Sequence, residues 1–130
     1  MKLKNKRKMR VKSKKILNSF KYAFEGLVKS FKTERNMRIH ILITILVIIS
    51  GLYCKINIYE WIICVILFGI VISAELFNTA IETIVDMIMP YRDKKAKLAK
   101  DVSAAAVLVL AIASAIIGLI IFIPKIIKIL

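Results

Sequence analysis

Twenty-two consecutive residues, Val102 to Ile123, carry no charge. A run of that length leaves few folds open, because about 20 apolar residues in a helix cross the hydrocarbon core of a bilayer. Only helices and closed barrels satisfy their backbone there. Two further apolar runs precede it. Ile39 to Cys54 is sixteen residues long, short for a span, so its helix is expected to start near residue 37 or to thin the bilayer. Ile58 to Ala74 carries one charge, Glu60, and its helix is expected to run on to residue 89, where Pro90 stops it. A chain that is 59% hydrophobic with mean hydropathy +0.76 fits an integral membrane protein rather than a soluble domain.

The architecture expected is an all-α membrane protein with spans at about 37–54, 58–89 and 102–123. Ahead of them, Ile16, Phe20, Ala23, Phe24, Leu27, Val28 and Phe31 recur at helical spacing, with lysines mostly off that stripe. This predicts an amphipathic surface helix over 16–32 lying in the headgroup plane, or docking on a partner. Residues 1–15 read as a basic, disordered tail, and 16–130 as one membrane domain. Thr33 to Arg38 reads as a polar hinge, Lys55–Asn57 as a tight turn, and Tyr91 to Asp101 as a charged loop.

Charge sets the orientation. The formal net charge is +14, and residues 1–38 hold fourteen Lys/Arg against two acids, Glu25 and Glu34. Nucleic acid is a poor partner for such a block, since it leads directly into apolar spans; anionic lipid headgroups are the partner expected. Loop 91–101 adds five basic residues, whereas the 55–57 turn has one and the segment after Ile123 has two. The positive-inside rule then puts the N-terminus in the cytoplasm and the C-terminus outside. No cleavage site follows the basic region, so a signal peptide is not expected. Cys54, Cys64 and the single histidine, His40, match no zinc spacing and read as packing residues.

Against this background one acidic stripe stands out. Glu75, Asn78, Glu82 and Asp86 fall on one face of the second span, with Thr79 beside them. Carboxylates at membrane depth face a protein interior or an aqueous cavity, and three on one stripe repel unless a cation or protons intervene. Glu34 and Glu82 can hold Mg²⁺, which takes one or two carboxylates plus phosphate oxygens. Lys100 can meet phosphate. Glu75 lies deeper, where desolvation makes it a better proton acceptor, and a base at that level suits the hydroxyl of a lipid alcohol. With glycine only at 26, 51, 69 and 118, no phosphate-cradling loop can be written. A phosphotransferase and a non-enzymatic proton- or ion-conducting subunit both remain open at this point.

Glu75-x-x-Asn78-Thr79-Ala80-Ile81-Glu82-x-x-x-Asp86, followed by Ala99-Lys100-Asp101-x-x-x-Ala105-Ala106-Val107, resembles the prokaryotic diacylglycerol kinase family, over roughly residues 16–123. Glu34-Arg35-Asn36-Met37-Arg38-Ile39-His40 resembles its Gram-positive, undecaprenol kinase-like branch. The resemblance implies a homotrimeric lipid kinase of the bacterial plasma membrane that transfers the γ-phosphate of MgATP to undecaprenol, diacylglycerol or both. It further implies Glu75 as catalytic base, and Glu34 and Glu82 as ligands of the Mg²⁺ on the nucleotide. Asn78 and Asp101 would position the reacting groups. Lys15, Asp86 and Lys100 would serve the nucleotide, Lys15 through an ambiguous register in the Lys14–Lys15 pair. Lys97 and Asp93 read as a membrane anchor and a solvated loop charge. The Ala111/Ala115 and Ser114/Gly118 pairs read as sites of close helix contact.

Overall fold

The computed structural model describes residues 1–130 and is helical throughout, with no strand. Four helices follow in order: α1 (Lys2–Thr33), α2 (Arg35–Tyr53), α3 (Ile58–Ile88) and α4 (Lys94–Ile129). The last three are long and apolar enough to cross a membrane. The chain divides into two units, Met1–Thr33 and Glu34–Leu130.

The first unit is α1 alone. It starts at Lys2, not near residue 16, and takes in the segment read as disordered. The reason is local: residues 2–25 hold no glycine or proline, and lysine and arginine are good helix formers. Phe20, Tyr22 and Phe24 are exposed on it.

In the second unit the expected six-residue hinge shrinks to one residue. Glu34 alone is extended, at φ −98° and ψ 120°, and it precedes α2 without a side-chain capping bond. The far end of α2 closes by a Schellman turn. The Ile56 amide donates to the Gly51 carbonyl at 3.1 Å and the Lys55 amide to the Leu52 carbonyl at 3.4 Å. Lys55 takes the left-handed position, at φ 49°. Helix α3 then opens with a capping box. Asn57 Oδ1 accepts from the Glu60 amide at 3.0 Å, and Glu60 Oε2 accepts from the Asn57 amide at 2.9 Å. The same Glu60 oxygen lies 3.1 Å from Lys125 Nζ, so the end of α4 is tied to the start of α3.

α4 is longer at both ends than the span read from its uncharged run. Asp93 is no mere loop charge: its Oδ1 accepts from the Lys95 and Ala96 amides at 2.8 and 2.9 Å and caps the helix. Most of the expected loop is therefore α4's first turns. At the other end the helix runs through Pro124 to Ile129. At ~1.5 Å per residue, its 36 residues extend well past a ~30 Å hydrocarbon core.

Helix α3 packs chiefly along α4 and more sparsely on α2. The apolar core is concentrated near the α2–α3 turn. Ile56, Cys64 and Ile121 are buried there, with Val47, Cys54, Trp61, Phe68, Ile117 and Phe122 against them. Both cysteines are free thiols in this cluster or at its edge, which is the packing role expected. Gly51 permits the approach of the Trp61 ring, since a Cβ there would stand 2.8 Å from Trp61 Cη2. Toward the middle of the bundle the packing opens. A cavity of about 440 Å³ is lined by residues of α2, α3 and α4, including Ala111, Ser114, Ala115 and Gly118. Within this chain the small-residue pairs leave space rather than close it.

Candidate active site

Helical periodicity carries Glu75, Asn78 and Glu82 onto the α3 face that meets α4. Glu75 is 1% exposed and Asn78 is 5% exposed. Such burial of polar groups calls for partners, and Asn78 has them. Its Nδ2 donates to Glu82 Oε1 at 3.3 Å, and its Oδ1 accepts from Ser103 Oγ at 2.6 Å. The two bonds fix which way the amide points. Ser103 Oγ also lies 3.0 Å from the Lys100 carbonyl. One short polar chain therefore runs from Glu82 through Asn78 and Ser103 to the backbone of Lys100.

Glu75 is different. Its Oε2 is buried without a hydrogen-bond partner. His40 on α2 faces it, with Nε2 3.9 Å away, too long for a hydrogen bond. Both residues line a cavity of about 240 Å³ with Asn36, Ile39, Asn78, Ala104, Val107, Leu108 and Ala111. Glu82 follows two turns further along α3, and Glu34 directly precedes α2.

The outer residues pair off. Lys100 forms an ion pair with the exposed Asp86, joining α4 to α3. Asp101, read as a positioning residue, is exposed and pairs with Lys97 one turn earlier on α4. Lys97 thus has a definite partner and is not only a membrane anchor. Lys15 lies on the first unit, exposed, with its carbonyl accepting from Ser19 Oγ at 3.1 Å. An open depression of about 600 Å³ at the α3–α4 connection is lined by Asp86, Arg92, Asp93, Lys94, Lys97 and Lys100 among others.

No three His, Cys, Asp or Glu side chains cluster closely enough to cage a metal ion. A pair of carboxylates that completes its shell with phosphate oxygens and water is a different case, and it suits Mg²⁺. Glu34 and Glu82 offer the right hard oxygen donors for it.

Sequence reasoning missed Ser103 and read His40 as packing. Ser103 had a faint signal: it stands three residues after Lys100 and four before Val107, on the buried face of α4. His40 had none, because its meeting with Glu75 depends on how α2 crosses α3.

Comparison with known proteins shows the family to which the chain belongs. The family described as "Prokaryotic diacylglycerol kinase" matches residues 21–122. The chain belongs to the prokaryotic diacylglycerol kinase family. As a prokaryotic diacylglycerol kinase-family member it is a lipid kinase, and the ion-conducting reading has no support. An undecaprenol kinase of Bacillus subtilis is 43% identical over 111 residues, spanning 85% of this chain and 90% of that protein. A diacylglycerol kinase of Synechocystis is 34% identical over 116 residues, 88% of this chain and 66% of that protein. A diacylglycerol kinase of Haemophilus influenzae is 32% identical over 94 residues, 72% and 80% respectively. The kinase family match takes in every candidate residue from Glu34 to Asp101 and leaves out Lys15.

Proposed function

We propose that this lipid kinase transfers the γ-phosphate of MgATP to undecaprenol, giving undecaprenyl phosphate, with diacylglycerol as the alternative acceptor. The carrying observation is Glu75: a buried carboxylate with an unpartnered oxygen, facing a small and largely apolar cavity in a membrane-spanning helix. A lipid hydroxyl is the proton donor that such a position suits. The extent of likeness to the Bacillus subtilis undecaprenol kinase supports undecaprenol over diacylglycerol.

Phosphoryl transfer needs positioning and charge neutralisation more than covalent chemistry. Glu75 takes the hydroxyl proton. Asn78, oriented by Ser103, holds Glu82 in place on the nucleotide side. Glu34 and Glu82 would hold the Mg²⁺, which when bound offsets the charge of the phosphates. Lys100 leaves Asp86 for the β- and γ-phosphates, and the basic rim of Arg92, Lys94 and Lys97 draws the anionic nucleotide in. Lys15 is a further nucleotide contact, and Asp101 acts indirectly by holding Lys97. The site opens to the cytoplasm of a bacterial plasma membrane, a placement supported by the basic residues of the N-terminal segment and the α3–α4 connection. Pairing of Lys125 with Glu60 leaves the opposite end less positive still. Anionic headgroups hold α1, and the working assembly is a homotrimer with shared sites. The large apolar areas that one chain leaves exposed on α2, α3 and α4 are compatible with such an assembly.

The test is γ-phosphate transfer from radiolabelled MgATP by detergent-purified protein, with undecaprenol and diacylglycerol offered together. Label in undecaprenyl phosphate is expected. Label in phosphatidic acid alone would reassign the acceptor, and no labelled lipid from folded, MgATP-saturated protein would overturn the reading.

A further inference from the structure

We infer that His40 is a second contact for the acceptor hydroxyl, holding it against Glu75 from the opposite helix. The inference rests on the lipid kinase reading above and goes beyond it in giving this histidine a role at the reacting atom.

Three observations carry it. His40 Nε2 stands 3.9 Å from Glu75 Oε2, and that oxygen is buried with no hydrogen-bond partner. Both residues line the same small cavity, whose α4 wall of Ala104, Val107, Leu108 and Ala111 is wholly apolar. His40 also lines the larger apolar cavity that continues between the three helices, so it stands where a polar lipid end and an apolar chain would meet. The separation is too long for a direct hydrogen bond but fits one bridging oxygen. A hydroxyl about 2.8 Å from each group closes a triangle on the 3.9 Å base, with an angle of roughly 90° at the hydroxyl oxygen. One hydroxyl can therefore donate its proton to Glu75 while its oxygen accepts from the His40 Nε2–H.

The arrangement fixes both proton positions. Glu75 enters ionised and His40 enters neutral, protonated on Nε2. In the transfer the O–H bond breaks toward Glu75 and the oxygen bonds to the γ-phosphorus. The bond from that phosphorus to the bridging oxygen breaks, its electron pair leaving with ADP. His40 keeps its proton throughout. Its task is to aim the oxygen's remaining lone pair, not to take part in proton transfer.

The experiment compares wild type with His40→Leu and His40→Gln, varying undecaprenol and MgATP separately. His40→Leu is expected to lower kcat/KM for undecaprenol at least tenfold, while KM for MgATP stays within twofold. His40→Gln, whose amide can still donate, is expected to recover most of the loss. An unchanged lipid kcat/KM in His40→Leu would overturn the inference. So would a tenfold rise in KM for MgATP, or a Gln variant no better than Leu. If Leu fails to fold, His40→Gln against the shorter His40→Asn replaces it, with equal activity of the two counting against the role. An inactive wild type would sink the kinase reading itself and is distinguishable from all of these.

Discussion

Glu75 and Asn78 are both buried polar residues one turn apart, yet they are satisfied in opposite ways. Asn78 has a partner at each end of its amide, whereas one oxygen of Glu75 has none. Leaving such a group unpaired is costly, and the cost is offset when a substrate proton arrives. Glu75→Gln keeps the shape and removes the proposed base. Its lipid phosphorylation rate is expected to fall about 10²–10⁴-fold, the range of general base catalysis, with MgATP binding retained in a nucleotide-protection melt. Glu82→Gln should do the reverse and raise KM for MgATP. Ser103→Ala removes the hydroxyl that orients Asn78. A hydrogen bond of this kind is worth about 1 kcal/mol net, so the melting temperature in detergent should move little. The turnover number should drop by roughly five- to tenfold, because about 1.4 kcal/mol in a barrier is a factor of ten.

Most of the helices could be read from the chain, and the departures share a cause. Apolar runs mark where a helix is in lipid, not where it ends. Asp93 caps α4 nine residues ahead of the uncharged run at Val102, and the polar first turns between them looked like loop. At the other end α4 continues through Pro124, so that Lys125 meets Glu60. The acidic stripe was legible because period 3.6 alone aligns its members. Ser103 and His40 were not, since each reaches the site from another helix and only the packing brings it there. The α2–α3 hairpin offers a separate test. Gly51→Ala would set a Cβ 2.8 Å from the Trp61 ring. Overpacking of this kind costs about 1–3 kcal/mol, to be read as a lower melting temperature and a shifted emission from Trp61, the single tryptophan. Activity per folded molecule should change less than stability does.

Basic residues are concentrated at the start of the sequence. Nine of the basic residues lie in positions 1–15, ahead of the family match at residues 21–122. Deleting 1–13, which spares Lys14 and Lys15, should leave most of the lipid phosphorylation intact while weakening flotation with anionic vesicles, since each Lys or Arg near such a surface is worth about 1 kcal/mol. Loss of all activity would show that the arm serves the site directly. The second unit divides internally. Ile56, Cys64, Ile121 and the Gly51–Trp61 contact fasten the turn end, while the acidic end sets buried Met37 and Val107 beside polar bonds and a cavity. Cavities forfeit packing contacts, and loosely packed regions open first. Gentle warming should therefore silence the enzyme reversibly at temperatures where Trp61, set in the fastened end, still reports an intact fold.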